Sequence, residues 1–138
     1  MGYEIHAEKG WVNRGNLYRL KELMRRAERG DRMTLAFLGG SITQGSVSSQ
    51  YTNCYAYLVY DWFVRRFPKT AFTYVNAGVG GTTSQFGVAR VDEDVLAFKS
   101  DFVSIEFSVN DDNTDFYRET YEGLVRKVYG NAFAPAVL

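Results

Sequence analysis

The sequence predicts an α/β fold built on a parallel sheet, and three observations carry that prediction. Apolar runs of strand length alternate with helix-length segments of 3.6-residue periodicity, in the order helix, strand–helix three times, then the start of another strand. Each complete strand ends in a polar or glycine-rich turn, at Gly39, Asn76 and Ser108. The chain has 138 residues, 46% of them hydrophobic, which is enough for one domain with a real core. Strands joined through helices run parallel by right-handed crossovers. Such sheets gather their ligands at the carboxyl ends of the strands, so the three turns are expected to face one crevice.

Residues 1–15 have no clear period and read as an irregular arm. Asn16 is the expected N-cap of the first helix. Leu17, Leu20, Met24 and Ala27 recur on one face of that helix, and Gly30-Asp31 ends it. Arg19, Lys21, Glu22, Arg25, Arg26 and Arg29 lie mostly off the apolar stripe. They read as a solvated side with a Glu22–Arg26 pair at i,i+4 rather than as an anion-binding face. The first strand is expected over 33–38, followed by a loop over 39–53 rich in Gly, Ser and Thr. A helix over 54–67 follows, with Leu58, Val59, Trp62 and Phe63 expected inward and Pro68 as its stop. The second strand is expected over 72–75 and the second glycine-rich turn over 76–84. Val88, Val91, Val95 and Phe98 predict a helix over 85–98. The third strand is expected over 102–107 and a polar turn over 108–114. Tyr117, Tyr121, Leu124 and Val128 mark a last helix closed by Gly130-Asn131, and residues 134–138 begin a fourth strand.

Composition excludes several function classes. Lys plus Arg equals Asp plus Glu, 16 each, which leaves no electrostatic footprint for nucleic acid or an anionic membrane. Cys54 is the single cysteine, so neither an intrachain disulfide nor a cysteine zinc cluster is available. His6 is the single histidine. No apolar run is long enough to span a membrane, and residues 1–10 carry no apolar signal core. A cytoplasmic protein is the default expectation, and a secreted protein with its signal removed would read the same way.

The chemistry is expected at the three turns. Ser41 follows the first strand among Gly39, Gly40 and Gly45, where backbone can approach a ligand closely. A phosphate loop is disfavoured: Gly40 and Gly45 have the spacing, but Ser46-Val47 stand where Lys and Ser/Thr are required. A dinucleotide fingerprint also fails, since Gly39-Gly40 gives no G-x-G-x-x-G. A nucleophilic serine remains, and on its own it is indistinguishable from a turn residue. In the second turn, the Gly81 N–H has no side chain to block a substrate. In the third, the Asn110 amide can donate to a developing oxyanion. Asp111, Asp112 and Asp115 lack the glycine and terminal glutamate of a calcium loop. They read as a solvated acidic turn that favours the next helix N-terminus. Taken together, the Ser41 N–H, the Gly81 N–H and the Asn110 side chain are the donors that serine attack on an ester requires, each worth roughly 3 kcal/mol in the transition state.

At this point the pattern resembles the SGNH/GDSL hydrolase superfamily of serine esterases and lipases. Gly39-Gly40-Ser41-Ile42-Thr43 resembles its first block, Gly-Asp-Ser-x-(Ser/Thr), with the nucleophile falling on Ser41. Residues 76–84 resemble the second block, with the oxyanion glycine on Gly81. Ser108-Val109-Asn110-Asp111 resembles the third, Gly-x-Asn-Asp, with the oxyanion asparagine on Asn110. The wording of the first and third blocks is similar to bacterial carbohydrate acetyl esterases.

The resemblance implies a flavodoxin-like three-layer α/β/α sandwich, with 1–32 as an arm and helix and 33–138 as the N-terminal part of the hydrolase domain. It implies no metal or organic cofactor. The substrate it implies is a small ester, in particular an acetylated carbohydrate. Gly40 replaces the Asp of the first block, Ser108 replaces the Gly of the third, and the fourth motif, Asp-x-x-His, is absent. His6 lies ahead of the first helix, on the wrong side of the sequence for the family. Without a base, Ser41 is too weakly nucleophilic at neutral pH. The expectation is therefore a sheet cut after three strands and a stub, needing a further segment or another chain to cover its apolar edge. The alternative class is a non-catalytic flavodoxin-like module that binds a small ligand or anion.

Overall fold

The computed structural model describes Asn13 and residues 15–138. His6 lies outside the described residues. The elements run α1 (Tyr18–Arg29), β1 (Met33–Gly39), α2 (Ser41–Gln44), a 3₁₀ turn (Tyr51–Asn53), α3 (Tyr55–Arg66), β2 (Phe72–Gly78), α4 (Ser84–Asp94), a 3₁₀ turn (Leu96–Phe98), β3 (Phe102–Glu106), α5 (Asp115–Tyr129) and β4 (Ala136–Val137). The four strands form one parallel sheet in the order β2-β1-β3-β4. The alternation of helix and strand in the sequence is the alternation observed.

The central strand shows why its sequence is continuously apolar. Leu35 and Phe37 face one side and pack with Leu23, Ala27, Ala56, Phe63 and Phe102. Ala36 and Leu38 face the other and pack with Val91, Val95, Val103, Leu124 and Val128. A strand buried on both faces must be apolar at every position. The result is three layers, with α1 and α3 on one face and α4 and α5 on the other.

Right-handed crossovers explain this division. The chain leaves β1 for β2 in one direction across the sheet, then returns past β1 to β3 in the opposite direction. The reversal puts α3 and α4 on opposite faces. It also creates a switch point between β1 and β3, beyond whose carboxyl ends ligands bind in sheets of this kind.

Several local expectations are corrected. The loop expected over 39–53 contains the short helix α2, which begins at Ser41 itself. β2 runs to Gly78 and takes Asn76 and Ala77 from the expected turn, because both pair in register with β1. α4 ends at Asp94, and the segment after it tightens into a 3₁₀ turn closed by Lys99 at φ 52°. Leu58 and Trp62 of α3 point outward, 49% and 47% exposed, while Ala56 and Phe63 are buried. That helix is apolar nearly all round, so periodicity alone does not choose its inner face. Phe98 is likewise exposed.

The N-cap position of α1 is Leu17, yet Asn16 still serves: its Oδ1 accepts from the Tyr18 N–H at 2.9 Å. Glu22 pairs with Arg25 at i,i+3 rather than with Arg26. Arg26 instead bridges Asp31 and Asp101, and Arg19 donates to the carbonyls of Tyr129 and Pro135. These arginines are structural ties rather than a solvated side. Among the described residues, no helix is long and apolar enough to cross a membrane.

Candidate active site

Two glycines, Gly39 and Gly78, seat α2 directly on the strand ends. A Cβ at Gly39 would overlap the Thr43 side chain and the Glu106 carbonyl, and one at Gly78 would overlap the backbone nitrogen of Gln44. A Cβ at Gly40 would lie 3.1 Å from Asn110 Nδ2 and 3.4 Å from the Thr82 carbonyl. Real side chains at 39 and 78 would lift α2, and Ser41 with it, off the sheet. At Gly80 a Cβ would lie 3.8 Å from Ser41 Cβ. The structure thus brings the three expected turns together: Ser41 stands beside the Gly80-Gly81 turn, and Gly40 stands beside Asn110.

Hydrogen bonds fasten these turns to one another. Asn76 Nδ2 donates to the Thr43 carbonyl at 2.9 Å and to Tyr74 Oη, while its Oδ1 accepts from the Gly78 N–H. The buried Thr43 hydroxyl pairs with Tyr55 Oη at 3.0 Å. Gly39 O accepts from the Val79 N–H at 3.0 Å and from Arg90 Nη2 at 3.2 Å. Arg90 reaches there from α4 with its side chain only 10% exposed, and its Nη1 is paired with Asp94. Gln44 Oε1 accepts from the Gly80 N–H at 2.9 Å.

Gly81 has φ +73°, and a Cβ there would meet nothing within 4 Å. Conformation, not space, demands glycine at that position. Its N–H makes no hydrogen bond among the described residues. Asn110 Nδ2 donates to the Thr82 carbonyl at 2.7 Å, which leaves the amide a second N–H.

The acidic turn is more structural than expected. Asp111 is half-buried, and its Oδ1 accepts from the Ser84 N–H at 2.9 Å, so it serves the start of α4 rather than α5. Asp115 does lie in the first turn of α5, which Thr114 caps. Among the described residues, no group of three His, Cys, Asp or Glu side chains is arranged to hold a metal. Ser108, at the expected Gly position, is exposed and donates through both its N–H and its hydroxyl to Glu106 Oε1.

An open groove of about 960 Å³ lies beside the third turn and is lined by Glu106, Ser108, Asp111, Arg118 and Tyr121. It contains neither Ser41 nor Gly81, and the geometry of the turns, not the volume of this groove, marks the site. Tyr121 Oη donates to the Ile105 carbonyl at 2.8 Å. Burial, with the charges of Glu106 and Asp111, raises its pKa. Burial likewise raises the pKa of Tyr55.

The sequence reading did not assign Gln44, Asn76 or Arg90 to the site. Gln44 and Asn76 lie inside stretches singled out for their glycines. Arg90 carries no sequence signal, because only the fold brings it to Gly39.

A family model of the GDSL-like lipase/acylhydrolases matches residues 37–136. The chain belongs to this family. It is 61% identical to a solved two-domain esterase active on acetylated mannans, with a TM-score of 0.96 over 98% of this chain and 37% of that one. An acetylxylan esterase from Geobacillus stearothermophilus is 36% identical over 86 residues, which make up 56% of this chain and 39% of that protein. A solved structure of Axe2, an acetyl xylan esterase of the same organism, is 26% identical with a TM-score of 0.58, over 76% of this chain and 57% of that one. The chain thus spans less than two thirds of the length of each of these relatives.

Proposed function

We propose that the full-length protein hydrolyses acetyl esters on a carbohydrate, with Ser41 as nucleophile. The observation that carries this reading is the convergence of Ser41, the Gly81 N–H, which makes no hydrogen bond among the described residues, and the Asn110 amide at the switch point of the sheet. The carbohydrate acetyl ester comes from the relatives, which act on acetylated mannan and acetylated xylan.

Ser41 Oγ attacks the acetyl carbonyl, and the carbonyl oxygen becomes an oxyanion. The Ser41 N–H, the Gly81 N–H and the second Asn110 N–H receive that charge from the ends of β1, β2 and β3. Such donors act where charge develops, so they favour the transition state over the bound ester. Collapse expels the sugar hydroxyl and leaves acetyl on Ser41, and water then releases acetate.

Both steps need a base for a proton. No histidine stands among the described residues. The base and its orienting carboxylate are assigned to chain beyond these 138 residues, as the family resemblance implies, and the 138 residues alone are expected to be inactive.

The test is hydrolysis of a short aryl acetate and of acetylated mannan by the full-length protein and its Ser41→Ala variant. The expected result is a loss of several orders of magnitude; undiminished activity in the variant removes Ser41 from the mechanism. Fluorophosphonate labelling at Ser41 separates this reading from a non-catalytic module, which would bind ligand saturably without being labelled.

A further inference from the structure

We propose that Gln44 is a positioning residue of this site: it occupies the Gly80 N–H and so leaves the next amide, Gly81 N–H, as the one presented to substrate. The inference rests on the serine-hydrolase reading above and goes beyond it by naming what sets the donor.

The turn over 79–82 contains two successive glycines, whose intervening peptide is free to rotate. It is pinned at every residue but one. Val79 donates its N–H to Gly39 O and accepts at its carbonyl from Thr82 Oγ1 at 2.7 Å. The Gly80 N–H is held by Gln44 Oε1 at 2.9 Å. The Thr82 carbonyl accepts from Asn110 at 2.7 Å. Gly81 alone has no such tie among the described residues, and its φ of +73° is kept by its neighbours.

Gln44 lies three residues after Ser41 on the same short helix, so the clamp sets Gly81 relative to the nucleophile rather than to the sheet at large. Its side chain is exposed, and its two hydrogen bonds, accepted from the Gly80 N–H at 2.9 Å and from Ser46 Oγ at 3.3 Å, add little net stability once the entropy of ordering a glutamine is counted. Fold maintenance therefore does not account for the bond to Gly80, whereas donor selection does.

The experiment uses the full-length protein with Gln44→Met, which keeps side-chain volume but loses the acceptor, and Gln44→Glu, which keeps an acceptor oxygen. For Gln44→Met, kcat on an aryl acetate is expected to fall roughly 10- to 100-fold with KM within about twofold, because the misplaced donor acts only in the transition state. The rate of fluorophosphonate labelling should fall by a similar factor, with the melting temperature nearly unchanged. Gln44→Glu should recover part of kcat, and its ratio to wild type should rise as pH is lowered and the carboxylate loses its charge. An unchanged kcat in Gln44→Met, or a rise in KM that accounts for the whole loss, overturns the proposal. Ser41→Ala run alongside separates the two readings: if that variant stays active, the hydrolase reading fails, and if it is dead while Gln44→Met is fully active, only the Gln44 inference fails.

Discussion

The turns that follow β1 and β2 are held from several sides, whereas the turn that follows β3 is held largely by itself. Between the first two, Asn76, Gln44, Arg90 and the Val79 N–H all cross from one segment to another, and Gly39 and Gly78 let α2 settle onto backbone. In the third, Ser108 bonds its own neighbour Glu106, and the Asn110 and Asp111 N–H groups return to Phe107 O. Asn113 Oδ1 accepts from Arg118 of α5, and among the described residues only the side chains of Asn110 and Asp111 reach the second turn, at Thr82 and Ser84. The difference teaches where preorganisation is concentrated. Ser41 and the Gly81 N–H share one braced unit, while the Asn110 amide is a side chain on a turn that borders an open groove.

Substitutions that break or sharpen this contrast can be ordered by size. The largest effect is expected from Gly78→Ala, whose new Cβ meets backbone of α2 that has nowhere to yield. A loss of about 3 kcal/mol in urea unfolding of the full-length protein is expected, and an unaltered midpoint would show that α2 is not seated on the strand ends. Next comes Asn110→Ala, which removes a donor from the weakly braced turn. It should lower kcat on an aryl acetate by roughly 10²-fold with a small change in melting temperature, and a wild-type kcat would remove Asn110 from the oxyanion site. Asn76→Ala strips three hydrogen bonds from the braced unit. It should cost about 2 kcal/mol and lower kcat only through the displaced α2. Asp111→Ala loses one of the two side-chain ties described between the third turn and the second and should cost about 1 kcal/mol, measured by the same unfolding experiment.

The smallest effect concerns pH. Burial raises the pKa of Tyr55, Tyr74 and Tyr121 above the ordinary value of 10.0, so the unfolded chain ionises first. Their contribution is intact below pH 10 and falls as pH rises through the native values. Unfolding midpoints should drop between pH 9 and pH 11 (about one unit either side of the tyrosine reference), and less so in Tyr74→Phe.

Much of the candidate site was legible as turns that meet, because its glycines, serine and asparagine sit at the ends of recognisable apolar runs. What could not be read was the bracing. Asn76 reads as a turn residue, yet β pairing with Phe37 draws it into the strand and aims its amide at α2. Arg90 reads as one more charge on a helix, and Asp111 as one more exposed acid. Hydrogen-bond partners dozens of residues apart leave no periodic trace. The outward turn of Trp62 was illegible for a related reason: a helix apolar on most sides is oriented by what packs against it.

By itself, the sequence determined the alternation of strands and helices, the continuously apolar run of β1 and the placing of Ser41, Gly81 and Asn110 at strand ends. These follow from hydrophobic periodicity and from the conformational demands of glycine, both of which act over a few residues. The tertiary structure alone decided the strand order, the switch point between β1 and β3, and the pairing of the Gly80 N–H with Gln44, which the Gly81 N–H does not share among the described residues. Those depend on which segments meet across the sheet, and such meetings are fixed only when the whole core packs at once.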